Sequence, residues 1–67
     1  EEVLAERISL AEILKRLNES DRQLICLRFY AGKTQSKTAQ ILGTTQVQIS
    51  RRERKILKWM RKELTSE

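Results

Sequence analysis

The fold of this chain is decided by residues 34–64, which read TQSKTAQILGTTQVQISRRERKILKWMRKEL. A short helical run ends at a glycine, two threonines form a turn, and a long helix with a basic outer face follows. Ala39 is small enough for two helices to cross closely, Gly43 suits a turn at positive φ, and Ile49 can fill the space between the helices. The pattern predicts a helix-turn-helix, whose second helix enters the major groove of DNA.

Capping residues and apolar spacing predict the remaining elements. Helices are expected at about residues 2–17, 19–30, 35–42 and 46–64. Asn18 and Thr34 are suitable N-caps, and Thr45 with Gln48 forms a capping box. We therefore expect an all-α fold, a small four-helix domain containing a helix-turn-helix with a long C-terminal recognition helix. Residues 1–67 are expected to form a single DNA-binding domain and, since the chain does not begin with Met, a fragment of a longer protein.

The second helix is apolar nearly all round and is expected to lie at the centre of the core, with Phe29 and Tyr30 packed by neighbours. Arg28 is its exception, and its head is expected to lie in water or to pair with an acid. Gly32 should end this helix in the left-handed conformation. In the third helix, the residues expected to face inward are Ala39, Ile41 and Leu42.

Basic residues are concentrated in the second half of the chain. Residues 1–31 contain five Lys/Arg and six Asp/Glu, a net charge of −1, whereas residues 32–67 contain nine and three, a net charge of +6. A one-sided basic face suits nucleic acid or an anionic membrane surface, and a solvated helix face is the alternative. No apolar stretch approaches the ~20 residues of a membrane span, so we expect a cytoplasmic protein with no membrane partner.

Residue types that support catalysis or metal binding are scarce. There is no His, and the one Cys, Cys26, lies in an apolar run and is expected to be a buried small hydrophobe. The chain also lacks paired carboxylates and a phosphate-binding glycine loop. We therefore expect no enzyme activity, no metal site, no cofactor and no small-molecule substrate.

Residues 17–64 resemble region 4, the C-terminal domain, of bacterial RNA polymerase sigma factors of the sigma-70 family. The matching stretches are LNESDR (17–22), LRFY (27–30), GKTQS (32–36) and QVQISR (46–51), with Glu53 following. QVQISR after Leu-Gly-x-Thr is distinctive of sporulation-type factors of the F, G and B kinds. The resemblance implies binding to the promoter −35 element in transcription initiation by a domain docked on the β flap of RNA polymerase. It also implies a bacterial, nucleoid-associated protein, with an anti-sigma factor as a further partner.

The resemblance also assigns residues to the site. It places base reading in the first turns of the fourth helix, at Gln46, Val47, Ser50 and Arg51. The chemistry agrees for Arg51, which can donate two hydrogen bonds to guanine, and for Gln46, which can pair with adenine. Phosphate contacts are expected from the same face and from the preceding turns, at Lys33, Thr34, Thr44, Arg54, Lys55 and Lys58.

Three positions depart from the usual family pattern. Lys37 replaces an acid, Thr38 replaces an aliphatic residue, and Arg52 replaces a leucine. Arg52 falls at the edge of the apolar stripe, so its stem is expected to cover apolar surface while its head reaches solvent.

Two other interpretations remain open. A dimeric transcription regulator resembling LuxR-type domains would need two half-sites about one DNA turn apart. A helical interaction module that docks on polymerase without reading DNA would bind DNA weakly, with strong salt sensitivity and no sequence preference.

Overall fold

The computed structural model of the protein describes residues 9–65. Within that range the chain forms α1 (Leu10–Arg16), α2 (Glu19–Ile25) continued by a π-helical turn (Cys26–Tyr30), α3 (Gln35–Leu42) and α4 (Gln46–Thr65). α4 packs against all three preceding helices. The predicted all-α fold, with a helix-turn-helix and a long C-terminal helix, is confirmed.

Side-chain oxygens accept backbone N–H bonds at the start of each described helix. Asn18 Oδ1 accepts from the Asp21 amide at 2.8 Å, and Thr34 Oγ1 accepts from the Lys37 amide at 3.0 Å. Thr45 Oγ1 accepts from the Gln48 amide at 3.2 Å at the start of α4. Each bond satisfies a donor that the helix leaves without an internal partner, so these polar residues fix where the helices begin.

The predicted first helix, 2–17, is wrong as one continuous element. Ser9 is extended, with φ −75° and ψ 160°, and its hydroxyl caps α1 by accepting from the Glu12 amide at 3.2 Å. A serine competes well for this cap because its short side chain reaches the backbone two or three residues ahead. The rest of that prediction, residues 2–8, lies outside the described residues.

The turn between α3 and α4 has the geometry that the sequence predicts. Gly43 has φ +72°, and two bonds close the end of α3: the Thr44 amide donates to the Ala39 carbonyl at 2.9 Å and the Gly43 amide donates to Gln40 at 3.3 Å. This pair of bonds is a Schellman motif, which requires the left-handed conformation that glycine adopts without strain. Gly32 is likewise left-handed, with φ +70°.

The core lies where α4 crosses the other helices. Its buried apolar residues are Ile13, Leu24, Ile25, Ala39, Ile49, Ile56 and Met60. α4 contributes Ile49, Ile56 and Met60, which recur at helical spacing, and Trp59 packs partly buried beside them. α4, rather than the predicted second helix, is therefore the central element.

The end of the second helix differs most from its prediction. Phe29 and Tyr30 are 51% and 63% exposed, and Cys26 is only half-buried, although all three were expected inside. The chain from Cys26 onward forms a π-helical turn, which spaces side chains differently around the axis from an α-helix. Arg28 is half-buried, as are Cys26 and Leu27, and its guanidinium lies 5.4 Å from the centroid of the Phe29 ring.

Ile41 is also wrongly predicted, since its side chain is 50% exposed. Residues 39 and 41 lie about 160° apart around an α-helix, so they cannot face the same core. Thr38 takes the inward position instead, beside Ala39 and the partly buried Leu42.

Arg52, which replaces the usual leucine, does not leave its head in solvent as expected. Its Nη2 donates to Ser20 Oγ at 2.6 Å and to Asp21 Oδ1 at 3.1 Å. The substitution thus exchanges an apolar contact for a polar link between α4 and the start of α2.

Thr38 is completely buried, and its hydroxyl has no hydrogen-bond partner in the described part of the chain. A buried hydroxyl without a partner costs about 1–3 kcal/mol. Thr38→Val keeps the shape and removes that hydroxyl, so we expect it to raise the free energy of unfolding by about 1 kcal/mol. Denaturant unfolding followed by circular dichroism measures the change.

Thr34→Val is the matched control, because it makes the same chemical change at a threonine whose oxygen caps α3. We expect it to lower stability by about 1 kcal/mol. An equal loss for both variants would show that the Thr38 hydroxyl is satisfied and useful.

Candidate nucleic-acid interface

One shallow depression runs along the outer face of the first turns of α4. It is lined by Gln46, Val47, Ser50, Arg51, Arg54, Lys55 and Lys58. All four predicted base-reading residues and three of the six predicted phosphate contacts therefore share one continuous surface. Ser50 is half-buried, and the other six side chains are exposed.

The burial of Ile49 sets the direction of this surface. Ile49 is fully buried between α3 and the rest of the core. Its neighbours Ser50 and Arg51 follow at about 100° and 200° around the helix, so Arg51 points away from the core. The same rotation holds at Ile56, which is buried, while Arg54, Lys55 and Lys58 are exposed.

The cations of this face have no acidic partner among residues 9–65, unlike four other arginines of that range. Within residues 9–65, ion pairs form between Arg16 and Glu63, Arg22 and Glu19, Arg28 and Glu53, and Arg52 and Asp21. Arg51, Arg54, Lys55 and Lys58 lie in no ion pair with a described residue. Uncompensated cations on one helix face are the arrangement that binds phosphates by releasing their counterions.

The other predicted phosphate contacts precede the two helices of the motif. Lys33 and Thr34 lie just before α3, and both side chains are exposed. Thr34 Oγ1 accepts the Lys37 amide, which leaves its O–H free to donate to a phosphate. Thr44 is half-buried in the turn. These three residues do not line the depression of α4.

A hydrogen-bonded network links α4 to α2 and α3 beneath the interface. The carboxylate of Glu53, a buried residue, accepts from Arg28 Nε at 2.7 Å and from Arg28 Nη2 at 3.3 Å. Arg28 Nη1 also donates to the Lys33 carbonyl at 2.7 Å. Gln35 Nε2 donates to Glu53 Oε1 at 3.2 Å, and Gln46 Nε2 donates to Gln35 Oε1 at 3.3 Å.

Sequence reasoning did not find most of this network. A signal was present, since Glu53 falls only about 40° from Ile49 around the helix and is thus an acid within the apolar stripe. An acid in that position needs a cation or a hydrogen-bond donor as its partner, and Arg28 is the one charged residue of the apolar run 24–30. The role of Gln35 had no signal in the sequence, because a glutamine at the start of a helix is commonplace.

Some other kinds of site are not found in the described part of the chain. Between residues 9 and 65 no group of three His, Cys, Asp or Glu side chains is placed to hold a metal ion. No helix of that range is long and apolar enough to cross a membrane. The site that the structure does contain is a helix-turn-helix with a cationic face that has no ion pair to a described residue, the arrangement of a DNA-binding domain.

Comparison with known proteins identifies the family. The family profile described as "Sigma-70, region 4" matches residues 13–62. The RNA polymerase sigma-F factor of Bacillus licheniformis is 44% identical over 64 residues, which cover 96% of this chain and 25% of that factor. The sigma-F factor of Bacillus subtilis (strain 168) is 45% identical over 58 residues, covering 87% and 23%. The sigma-G factor of the same strain is 37% identical over 59 residues, covering 88% and 23%. No solved structure matches this chain significantly.

The chain belongs to the region 4 family of sigma-70 factors. The resemblance to sporulation-type sigma factors is confirmed by relatives of the F, G and B kinds. The chain spans about a quarter of the length of the relatives quoted above.

Proposed function

We propose that this domain reads a promoter −35 element in the major groove during transcription initiation. The observation that supports this most directly is the outer face of α4, where four cations without an acidic partner among residues 9–65 lie along its exposed side chains. The N-terminal turn of α4 enters the groove, and Gln46, Val47, Ser50 and Arg51 meet base edges. Arg54, Lys55 and Lys58 lie further along the helix and bind phosphates, together with Lys33, Thr34 and Thr44.

The names of the relatives support RNA polymerase as the protein partner. The sigma-F and sigma-G proteins that match this chain are named as RNA polymerase factors. We infer that this domain acts while docked on RNA polymerase, with the flap of the β subunit as its docking surface and an anti-sigma factor as a regulator. With DNA and polymerase as its partners, the domain works in the bacterial cytoplasm, at the nucleoid. It acts by binding rather than by catalysis.

Selection of bound duplexes from a randomised DNA pool tests the proposed reading of DNA. The 67-residue chain is used at low and at moderate salt, and the surviving duplexes are sequenced. We expect one short asymmetric motif to be enriched, because a single domain presents a single recognition helix. Binding to the isolated β flap is titrated in parallel, since the flap is the proposed protein partner.

Other outcomes would replace the proposal. A palindrome with half-sites about one DNA turn apart would indicate a dimeric regulator of the LuxR type. Flap binding without an enriched motif, with DNA affinity that disappears as salt rises, would indicate an interaction module that does not read sequence.

A further inference from the structure

We propose that Gln35 is a positioning residue that fixes the orientation of the Gln46 amide and thereby determines which base Gln46 recognises. This inference rests on the proposed function, because it needs Gln46 to meet a base edge. Gln35 lies on α3 and lines a second depression with Glu53 and Ser50, next to the depression on the outer face of α4. It touches the base reader rather than the base.

The direction of the hydrogen bonds along the network follows from Glu53. An ionised carboxylate only accepts hydrogen bonds, so the group that Gln35 presents to Glu53 must be its NH₂. The bond to Glu53 Oε1 is 3.2 Å long, and Arg28 Nε donates to the same oxygen at 2.7 Å. Gln35 therefore cannot reverse its amide without placing oxygen against oxygen.

The fixed orientation of the Gln35 amide also fixes the orientation of the Gln46 amide. With its NH₂ bound to Glu53, Gln35 presents Oε1, and Gln46 must donate an N–H to it, as the 3.3 Å bond shows. A reversed Gln46 would again bring two amide oxygens together. The buried carboxylate thus determines the orientation of an exposed amide two hydrogen bonds away.

The orientation limits what Gln46 can recognise. A glutamine amide has two N–H bonds and one oxygen, and Gln35 takes one N–H. The remaining N–H and Oε1 form a donor–acceptor pair that matches N7 and the N6 amino group of adenine. Guanine presents two acceptors at that edge and would leave Oε1 facing O6. Gln35 should therefore favour adenine over guanine at the base pair that Gln46 reads.

Gln35→Met tests the positioning role, because it keeps the length of the side chain and removes both hydrogen bonds. Affinity is measured for the duplex obtained by selection and for its single-base-pair variants. Gln46→Ala identifies the base pair that Gln46 reads. We expect Gln35→Met to reduce the adenine-to-guanine preference at that same pair by about fivefold or more, the range of one bidentate contact. Preferences at the other pairs should be unchanged.

Two controls separate positioning from a general loss of structure. Gln40→Met makes the same change at an exposed glutamine of α3 that forms no side-chain hydrogen bond with a described residue, and it should leave every preference intact. The double variant Gln35→Met with Gln46→Ala should have the base preferences of Gln46→Ala alone, because a positioning residue acts only through its partner.

Failure of the positioning role of Gln35 can be distinguished from failure of base reading by Gln46. If Gln46→Ala changes the preference at one pair and Gln35→Met does not, or changes all pairs alike, the positioning role is overturned while base reading stands. If the unmodified chain has no base preference, or Gln46→Ala alters none, the reading role of Gln46 fails and the positioning role fails with it.

Discussion

Replacing Arg28 by methionine should lower the free energy of unfolding by about 2–3 kcal/mol. The change leaves Glu53, which is 11% exposed at its side chain, with Gln35 as its only described donor. Breaking a buried ion pair typically costs about 3–5 kcal/mol, and the 22% exposure of the Arg28 side chain reduces that value. A chain of this length has a total free energy of unfolding of only about 3–10 kcal/mol. The decrease should therefore be easily measured by urea denaturation.

Two further variants test the reason for that loss. Arg16→Met removes the partner of Glu63 in an ion pair at 3.4 Å whose arginine is 48% exposed, and it should cost less than about 1 kcal/mol. The double variant Arg28→Met with Glu53→Leu removes both charges and should be more stable than Arg28→Met alone. If the double variant were the less stable, the stranded carboxylate would not be the cause.

Replacing Arg51 by alanine should weaken binding to the selected duplex by about 1–3 kcal/mol and relax the preference at one base pair. Arg51 is exposed, lies in no ion pair with a described residue, and lines the depression on the outer face of α4. Its loss therefore removes contacts to DNA without removing contacts within the fold. Fluorescence anisotropy titrations on the selected duplex and on a random duplex measure the two effects.

Lys58→Ala is the matched comparison, since Lys58 lies two turns further along the same depression. A phosphate contact carries no sequence information, so its loss should weaken all duplexes alike and reduce the slope of log affinity against log salt by about one. Equal losses on selected and random DNA for Arg51→Ala would remove its assignment as a base reader.

Local features of this fold were predictable from the sequence because their causes are local. The threonine and asparagine caps, the left-handed Gly43 and the burial of Ile49 depend on residues within a few positions of one another. The outward face of α4 follows equally from helical rotation around Ile49. All four residues assigned to base reading are consequently found on one surface.

Features that depend on distant partners were missed. Arg28 was expected to have its head in water or paired with an acid, and it pairs with Glu53, a partner 25 residues away that was not identified. Phe29 and Tyr30, which were expected inside, lie on the surface. The π-helical turn that produces this arrangement has no simple sequence signature. Ser9 was missed for a different reason, since the apolar spacing on either side of it suggested one uninterrupted helix.

The position of Ile49 has a thermodynamic consequence. It is fully buried in the same turn as Ser50 and Arg51, so the backbone of that turn loses its conformational entropy when the chain folds rather than when DNA binds. The unfolded chain has no such turn and should not compete for the duplex. Under the proposed function, folding and DNA binding are therefore linked equilibria, and a saturating duplex shifts the population of this small domain toward its folded form.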